Sequence, residues 1–245
     1  MKHPSMTSSI IEQDIKNIVR KLGKHASLLS GKTLLISGGA GFIGSYILRT
    51  VAYLNKTILS KPCHVISIDN YLTGTKKEND GEFPLTGFTF IEHDIRKSVE
   101  IPGKIDFIIH AAGVASPVYY QKYPLETIET AIWGAKNLLE LAREKKVKSF
   151  LFFSSSEIYG DPDPASVPTL ETYRGNVSSI GDRASYDESK RLGETLCMTY
   201  WRIFRVPIKI VRPFNVFGPG MRPNDYRVVP TFLYRALTGK FLPVH

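Results

Sequence analysis

The chain has 245 residues, of which 42% are hydrophobic and 22% are charged, a balance that excludes a wholly disordered, collagen-like or coiled-coil protein. Its 32 Lys and Arg exceed its 23 Asp and Glu by nine, but these basic residues are scattered, so we expect a small anionic ligand and no nucleic acid. No apolar run reaches the roughly 18–20 residues of a membrane span, and we expect no membrane partner. Only Cys63 and Cys197 are present, which excludes a disulfide framework and favours a reducing, cytoplasmic compartment.

The pattern of apolar residues predicts an N-terminal helix followed by alternating strands and helices. Residues 9–22 have helical spacing, and Ser9 with Glu12 fits a capping box. From residue 31 onward the alternation predicts a doubly wound, Rossmann-type α/β fold whose parallel strands are buried on both faces. The predicted strands are 33–37, 64–68, 88–91, 105–109, 149–154 and 208–211, and the predicted helices are 42–54, 124–144 and 185–204. Polar loops are predicted at 73–84 and 161–182, and the length of the second indicates a functional loop.

A glycine-rich segment follows the first predicted strand directly and opens the next predicted helix. It reads Gly38-Gly39-Ala40-Gly41-Phe42-Ile43-Gly44. Glycines at this spacing let the backbone approach a pyrophosphate, and the helix N-terminus offers N–H groups to phosphate oxygens. The segment predicts a dinucleotide site, with an ordinary tight turn as the alternative. The residues expected to hold the cofactor are Gly38, Gly41, Phe42, Ile43 and Gly44.

Acidic residues follow the next two predicted strands. Asp69 and Asn70 stand at the tip of the second strand, where a carboxylate accepts hydrogen bonds from ribose hydroxyls and repels a 2′-phosphate. This position favours NAD over NADP, although Asp69 lies farther from the glycines than the usual spacing of about 20 residues. A capping Asp in a turn is the alternative. Asp94 and Ile95, after the third strand, are expected to hold the adenine edge.

A second motif combines a tyrosine, a lysine and a serine. Tyr186 and Lys190 are four residues apart on a predicted helix and share one face. A free phenol has a pKa of about 10, and a neighbouring ammonium lowers it, so the pair predicts a general base. Ser155 follows a predicted strand at its carboxyl end, where ligands of open α/β sheets bind, and is expected to orient a substrate alcohol. A surface Tyr–Lys pair is the alternative.

Together these motifs resemble the extended short-chain dehydrogenase/reductase family that acts on nucleotide sugars. The resemblance runs from about residue 31 to the end of the chain and also rests on 110–113 (His-Ala-Ala-Gly) and 212–219 (Arg-Pro-Phe-Asn-Val-Phe-Gly-Pro). Within the family, 157–162, 180–191 and 224–229 are most similar to UDP-glucuronate decarboxylases.

The resemblance implies an enzyme that uses NAD and a nucleotide sugar, most of all a UDP-sugar. It implies that Tyr186, oriented with Ser155 and assisted by Lys190, takes the proton of the sugar C4 hydroxyl while NAD accepts the C4 hydride. Ser156 and Glu157 would then act at C5 while CO₂ leaves a 4-keto sugar. Ala111 and Ala112 are further expected cofactor contacts, and the expected substrate-binding residues are Ser116, Tyr120, Asn215 and Arg227.

The pair Ser156-Glu157 separates the subfamilies in this resemblance. The 4,6-dehydratases carry Asp-Glu at this place to expel a hydroxyl, and 4-epimerases generally lack the carboxylate. The pair therefore favours decarboxylation of UDP-glucuronate to UDP-xylose. A 4,6-dehydratase or 4-epimerase of the same family is the first alternative, and a non-catalytic NAD-binding scaffold is the second.

Several positions depart from the family pattern. Ala131 stands where the family usually has Asn, Ser179 and Asp182 stand where the decarboxylases carry prolines, and Gly220 stands where they carry Arg. Family members continue beyond the position of His245, so the substrate-binding region is expected to be incomplete. The expected domains are a helical extension over 1–30, the NAD-binding domain with the catalytic residues over 31–211, and the start of the sugar-binding region over 212–245.

The same resemblance implies a state of assembly, and the spacing of the histidines bears on metal binding. The family pairs two helices across a twofold axis, so we expect a homodimer. The apolar residues expected to exceed what one sheet face covers are Ile128, Ile132, Leu139, Leu192 and Met198. His64, His93 and His110 lack the spacing of metal ligands, and we expect no metal site.

Overall fold

The structure, a computed structural model, describes residues 6–74, 86–222 and 225–242. Its described residues form one six-stranded sheet in the order β3-β2-β1-β4-β5-β6, and every neighbouring pair is parallel. This order reverses between β1 and β4, which is the point where open α/β sheets bind ligands. The strands are β1 Thr33–Ser37, β2 His64–Asp69, β3 Phe88–Glu92, β4 Phe107–His110, β5 Ser149–Phe153 and β6 Ile208–Val211.

Helices connect the strands and cover both faces of the sheet. The α-helices are α1 Met6–Leu22, α2 Phe42–Thr57, α3 Pro117–Lys122, α4 Pro124–Glu129, α5 Ala135–Lys145, α6 Ala184–Phe204 and α7 Val228–Leu237. A π-helical turn over Thr130–Gly134 joins α4 to α5, and 3₁₀ turns lie at Gly23–Leu29, Ser156–Tyr159 and Pro164–Ser166. Among the described residues, no helix is both long and apolar enough to cross a bilayer.

The core lies on both faces of the central strands because their side chains are apolar in continuous runs. On one face, Phe150 and Phe152 of β5 pack with Leu138 and Leu139 of α5, all of them buried. On the other face, Leu34 of β1 belongs to a cluster that α2 covers. Burial of this kind contributes about 25 cal/mol per Å² of apolar surface, so the sheet core is the main source of stability.

Helix α1 is part of the folded structure. Its residues Ile11, Ile15 and Val19 are buried in a cluster with Leu54 of α2. This confirms the predicted amphipathic character of the N-terminal helix. The helix begins at Met6, however, so Ser9 lies inside it and the predicted capping box at its start is wrong.

The largest difference from the predicted elements is the broken helix over 124–144. A π-helical turn interrupts it at Thr130–Gly134, where Ala131 is buried. The turn lies close to the segment that follows β3: a Cβ at Gly134 would lie 2.9 Å from the Cγ2 atom of Ile95. A wide turn with a glycine at that point lets the helix pass over this residue.

Other differences concern ends and edges. Strand β4 begins at Phe107, two residues later than predicted, and helices α3 and α7 were not predicted. Strands β3 and β6 lie at the two edges of the sheet and leave Phe90 and Val211 exposed, so the expectation that every strand is buried on both faces is wrong for these two. Leu139 is fully buried in the chain's own core and is not available as an interface residue.

The two predicted loops differ in how much of them is described. Most of 73–84 lies outside the described residues. The loop over 161–182 is largely exposed and is tied back at its start, where the Asn176 side chain donates a hydrogen bond to the Asp161 carbonyl at 3.0 Å.

Candidate active site

A cavity of about 710 Å³ opens at the carboxyl ends of β1, β4 and β5. Its volume is in the range of small-molecule sites, and it lies at the reversal of strand order. Most of the residues singled out in the sequence line it, namely Gly38, Gly41, Phe42, Ile43, Gly44, Asp69, Ala111, Ser116, Tyr120, Ser155, Ser156, Glu157, Tyr186, Lys190, Asn215 and Arg227. A side pocket of about 70 Å³ adjoins it and is lined by Asn70, Ile95 and Ala112.

The glycine segment forms the floor of one end of the cavity. Gly38 has φ +82° and packs against the β4 end, where a Cβ would lie 2.6 Å from the Ala112 nitrogen. A Cβ at Gly44 would lie 2.1 Å from the Gly38 carbonyl oxygen, so both positions require glycine. Helix α2 begins at Phe42 without a side-chain cap, and its first N–H groups remain for an anion.

Asp69 lies beside this segment. Its carboxylate accepts hydrogen bonds from the Ala40 N–H at 3.0 Å and from the Tyr71 N–H at 2.8 Å. The contacts hold the carboxylate at the cavity wall and leave lone pairs for a further donor. Uncapped N–H groups next to a fixed carboxylate are the donor and acceptor set that a pyrophosphate and a ribose require, so these residues fit NAD.

Asp94 is directed elsewhere. It lines neither the cavity nor the side pocket, and its carboxylate accepts a bidentate hydrogen bond from the Arg96 guanidinium, at 2.6 Å for the shortest contact. That hydrogen bonding keeps the pKa of Asp94 below its usual value. Its predicted contact with adenine is therefore not prearranged in this structure, whereas Ile95 does reach the side pocket.

Tyr186, Ser155 and Lys190 meet at the centre of the cavity. Ser155 and Tyr186 both line the cavity, and the Ser155 hydroxyl accepts a hydrogen bond from the Glu157 N–H at 3.2 Å. The Lys190 ammonium donates to the Phe153 carbonyl at 2.8 Å and lies 5.8 Å from the centre of the Tyr186 ring. Helix α6 carries both Tyr186 and Lys190, and the end of β5 carries Ser155, so the parallel sheet itself brings the three together.

Burial changes the proton affinities of these groups. It lowers the pKa of Lys190 to about 8, because the charged ammonium is removed from water. Burial also raises the pKa of Tyr186, and the nearby Ser155 hydroxyl opposes that shift only in part. The sequence predicted a lowered pKa for Tyr186 through Lys190; in this structure desolvation outweighs any such effect.

Glu157 follows Ser155 on the 3₁₀ turn, and an arginine that the sequence analysis missed contacts it. The Arg183 guanidinium forms an ion pair with the Glu157 carboxylate, and its Nε lies 3.8 Å from the Asp187 carboxylate. Arg183 also lines the cavity. Its spacing of three residues from Tyr186, one helical turn, was the available signal.

The substrate side of the cavity is built from separate segments. Tyr120 of α3 is buried and stacks on Tyr186, with ring centroids 5.2 Å apart. The Ser116 hydroxyl donates to the Asp225 carbonyl at 2.8 Å, and the Arg227 guanidinium pairs with the Asp225 carboxylate. Ser116 and Arg227 are thus held by protein groups at the cavity wall.

A polar network braces the loop that carries Ser155 and Glu157. The Arg212 guanidinium donates to the Glu194 carboxylate at 2.7 Å and to the Tyr159 hydroxyl at 2.9 Å. The Ser154 hydroxyl donates to the same carboxylate at 2.5 Å. This links β6, α6 and the 3₁₀ turn directly behind the cavity. Among the described residues, no cluster of His, Cys, Asp and Glu could hold a metal ion.

Comparison with known proteins places this site in a family. Residues 34–245 match the model of the NAD-dependent epimerase/dehydratase family. The chain belongs to this family. It is 41% identical over 215 residues to UDP-glucuronic acid decarboxylase 5 of Arabidopsis thaliana, covering 88% of this chain and 60% of that relative. The chain thus spans about 60% of the length of this curated relative.

Solved structures share the fold. UDP-glucuronic acid 4-epimerase from Bacillus cereus in complex with NAD has a TM-score of 0.68 at 25% identity, over 86% of this chain and 66% of that one. DesIV, the dTDP-glucose 4,6-dehydratase of Streptomyces venezuelae with NAD bound, has a TM-score of 0.71 at 26% identity, over 86% of this chain and 64% of that one. These matches confirm the predicted Rossmann-type fold, and the family model confirms the predicted NAD-dependent family.

Proposed function

We propose that this chain catalyses the NAD-dependent decarboxylation of UDP-glucuronate to UDP-xylose through a 4-keto sugar. The observation that carries the proposal is the meeting of Ser155, Tyr186 and Glu157 in one cavity, beside a glycine segment that fits a dinucleotide. The 41% identity to a UDP-glucuronic acid decarboxylase supports it independently.

The cofactor would lie along the carboxyl ends of β1, β2 and β4. The N–H groups at the start of α2 would hold its pyrophosphate, and Asp69 would accept hydrogen bonds from a ribose. Asn70 and Ile95 would lie near its adenine in the side pocket. When bound, NAD supplies a reversible hydride acceptor for C4 of the sugar.

The first chemical step takes place at C4. Tyr186 would remove the proton of the C4 hydroxyl, and Ser155 would orient that hydroxyl. Lys190 lies near enough to Tyr186 to stabilise its phenolate when charged, as it is below its pKa of about 8. The resulting carbonyl at C4 places the C5 carboxylate in the β position.

The second step breaks the bond between C5 and the carboxylate carbon. The electron pair of that bond passes into an enolate of the 4-keto group, and CO₂ leaves. A proton from water must then reach C5, and Glu157 on the 3₁₀ turn, with Ser156 beside it, is the group we assign to accept that proton and pass it to C5. Return of the hydride to C4, and of the proton from Tyr186 to the C4 oxygen, gives UDP-xylose.

A 4,6-dehydratase or a 4-epimerase is the second candidate, because solved structures with those activities share the fold. Elimination of a C6 hydroxyl needs an acid next to Glu157, and Ser156 is a poor one. A scaffold without activity is disfavoured by the complete set of Ser155, Tyr186 and Lys190 in the cavity.

We further propose a homodimer in a cytoplasmic, reducing compartment. The exposed Trp133 and Leu192, on the π-helical turn and on α6, support a covered helix face, and the free, buried Cys63 and Cys197 support the compartment. We also propose the boundaries 1–30, 31–211 and 212–245 for extension, cofactor domain and sugar-binding region.

The test incubates the protein with UDP-glucuronate, UDP-glucose and dTDP-glucose and identifies the products by mass spectrometry. Release of CO₂ with formation of UDP-xylose is expected from UDP-glucuronate alone. Tyr186→Phe should abolish both NADH formation and CO₂ release. Glu157→Gln should retain oxidation at C4 while decarboxylation falls by about 10²–10⁴. A dehydrated product from a hexose substrate would replace the decarboxylase with the second candidate.

A further inference from the structure

Arg183 is a cavity residue that the reaction described above does not use. It stands at the start of α6, one turn before Tyr186, and its guanidinium pairs with the Glu157 carboxylate. The side chain of Arg183 is about half exposed, whereas that of Glu157 is 26% exposed. An ion pair with this much solvent contributes little to the stability of a fold. A role in the site therefore explains the ion pair between Arg183 and Glu157 better than a contribution to stability does.

The second partner of Arg183 is Asp187. Asp187 lies on α6, is 8% exposed, and has one carboxylate oxygen that is buried without a hydrogen-bond partner. The Arg183 Nε lies 3.8 Å from its other oxygen. Asp187 is fixed on α6, so its negative charge attracts the Arg183 guanidinium and keeps it at the cavity wall.

This arrangement links the groups assigned to C4 and C5. Tyr186 lies in the first turn of α6 and Arg183 is the residue just before that helix, while Glu157 is carried by the 3₁₀ turn after β5. A sugar ring presents C4 and C5 as neighbouring atoms, so the two reacting side chains must keep a fixed separation. An error of about 1 Å in such a position can cost about 100-fold in rate.

We propose that Arg183 is a positioning residue that holds the Glu157 carboxylate at a fixed separation from the Tyr186 hydroxyl. The proposal rests on the proposed function, because it assigns Glu157 to the step at C5. Arg183 acts through Glu157 and transfers no proton itself.

The test compares Arg183→Gln, Arg183→Lys, Glu157→Gln and the double variant Arg183→Gln/Glu157→Gln. Stopped-flow absorbance of NADH reads oxidation at C4, and CO₂ detection reads decarboxylation of UDP-glucuronate. Arg202→Gln, which removes an exposed arginine from the far end of α6, is the matched control and should change neither step.

Arg183→Gln should lower decarboxylation about 100-fold. Oxidation at C4 and the KM for UDP-glucuronate should change less than about twofold, and Arg183→Lys should restore part of the loss. The double variant should be no slower than Glu157→Gln, because the two residues act as a unit. Additive losses, or a rise in KM with an unchanged kcat, would overturn the proposal; the latter would make Arg183 a substrate-binding residue.

Crystal structures of the Arg183 variants separate this proposal from the proposed function. The Glu157 carboxylate should leave its present position in Arg183→Gln and keep it in Arg183→Lys. An unchanged Glu157 in Arg183→Gln overturns the proposal whatever the activity. A wild-type protein that forms NADH without CO₂ overturns the decarboxylase assignment alone.

Discussion

The two ends of the cavity are built in different ways. At the cofactor end, Leu35 and Ile36 of β1 are fully buried, and Gly38 packs directly on the backbone of β4. At the substrate end, no residue of α7 is buried within the part of the chain that the structure describes, and Phe214 is 67% exposed. The cofactor end thus takes its rigidity from the sheet core.

The substrate end is held to the rest by a few polar contacts. The Tyr46 hydroxyl shares its one proton between the Asp14 carboxylate at 3.1 Å and the Pro219 carbonyl at 3.3 Å, and Ser116 donates to the Asp225 carbonyl. Net contributions of such hydrogen bonds are about 1 kcal/mol each, against several kcal/mol for one buried leucine. The comparison teaches that the dinucleotide site can form with the sheet, whereas the sugar site depends on a weakly attached segment.

The largest expected effect is a difference in the free energy of unfolding between substitutions at the two ends of the cavity. Leu35→Ala should lower the free energy of unfolding by about 2–5 kcal/mol, because it leaves a cavity between β1 and its neighbours. Leu237→Ala, at a side chain 87% exposed, should change it by less than about 0.5 kcal/mol. Urea unfolding followed by circular dichroism measures both. A loss of several kcal/mol in Leu237→Ala would show that α7 is covered in solution, and the contrast between the ends would disappear.

The next largest effect is a change in cofactor affinity, which tests the cofactor end of the cavity. Asp69→Ala should weaken NAD binding about ten- to a hundredfold, since it removes a charged acceptor worth about 1.5–3 kcal/mol. It should also relax discrimination against NADP, because the repulsion of a 2′-phosphate is lost. Titration calorimetry with both cofactors measures the change, and Asp94→Ala is the control, because Asp94 faces Arg96. Equal NAD affinities in wild type and Asp69→Ala would leave Asp69 as a residue that only orders the loop.

The same contrast explains what the sequence could predict. Strands β1, β2, β3, β5 and β6 were placed within one residue, because short apolar runs between polar turns specify the strands of a parallel sheet. The glycine segment was placed correctly because its steric requirement is local. Tyr186 and Lys190 could be paired because helical spacing fixes their shared face.

Features set by contacts distant in the chain were not predictable in this way. The π-helical turn depends on the approach of Gly134 to Ile95, which no local pattern encodes. The upward pKa shift of Tyr186 depends on how deeply tertiary packing buries it. The ion pair of Arg183 likewise joins residues 26 positions apart, at 157 and 183.

The last prediction concerns His110, which joins the sheet core to the cofactor end. Its ring is buried, its Nδ1 lies 2.7 Å from the Ser37 hydroxyl, and burial, with the charge of Lys190, lowers its pKa from 6.5 to about 3. Between pH 6.5 and 3 the unfolded chain therefore binds a proton at this residue that the folded chain does not. The free energy of unfolding is therefore unaffected by His110 above pH 6.5, and it decreases as the pH falls from 6.5 to 3.

The expected slope is about 1.4 kcal/mol of unfolding free energy for each pH unit, over and above the contribution of the carboxylates. His110→Asn should remove this slope, because its amide can keep a hydrogen bond with Ser37 and does not titrate. Urea unfolding of both proteins at pH 7, 6 and 5 measures the difference, and the carboxylates contribute equally to each. If the two proteins lose stability in parallel, His110 takes up its proton in the folded state near its ordinary pKa, and the core at this end of the sheet is more accessible to water than its packing indicates.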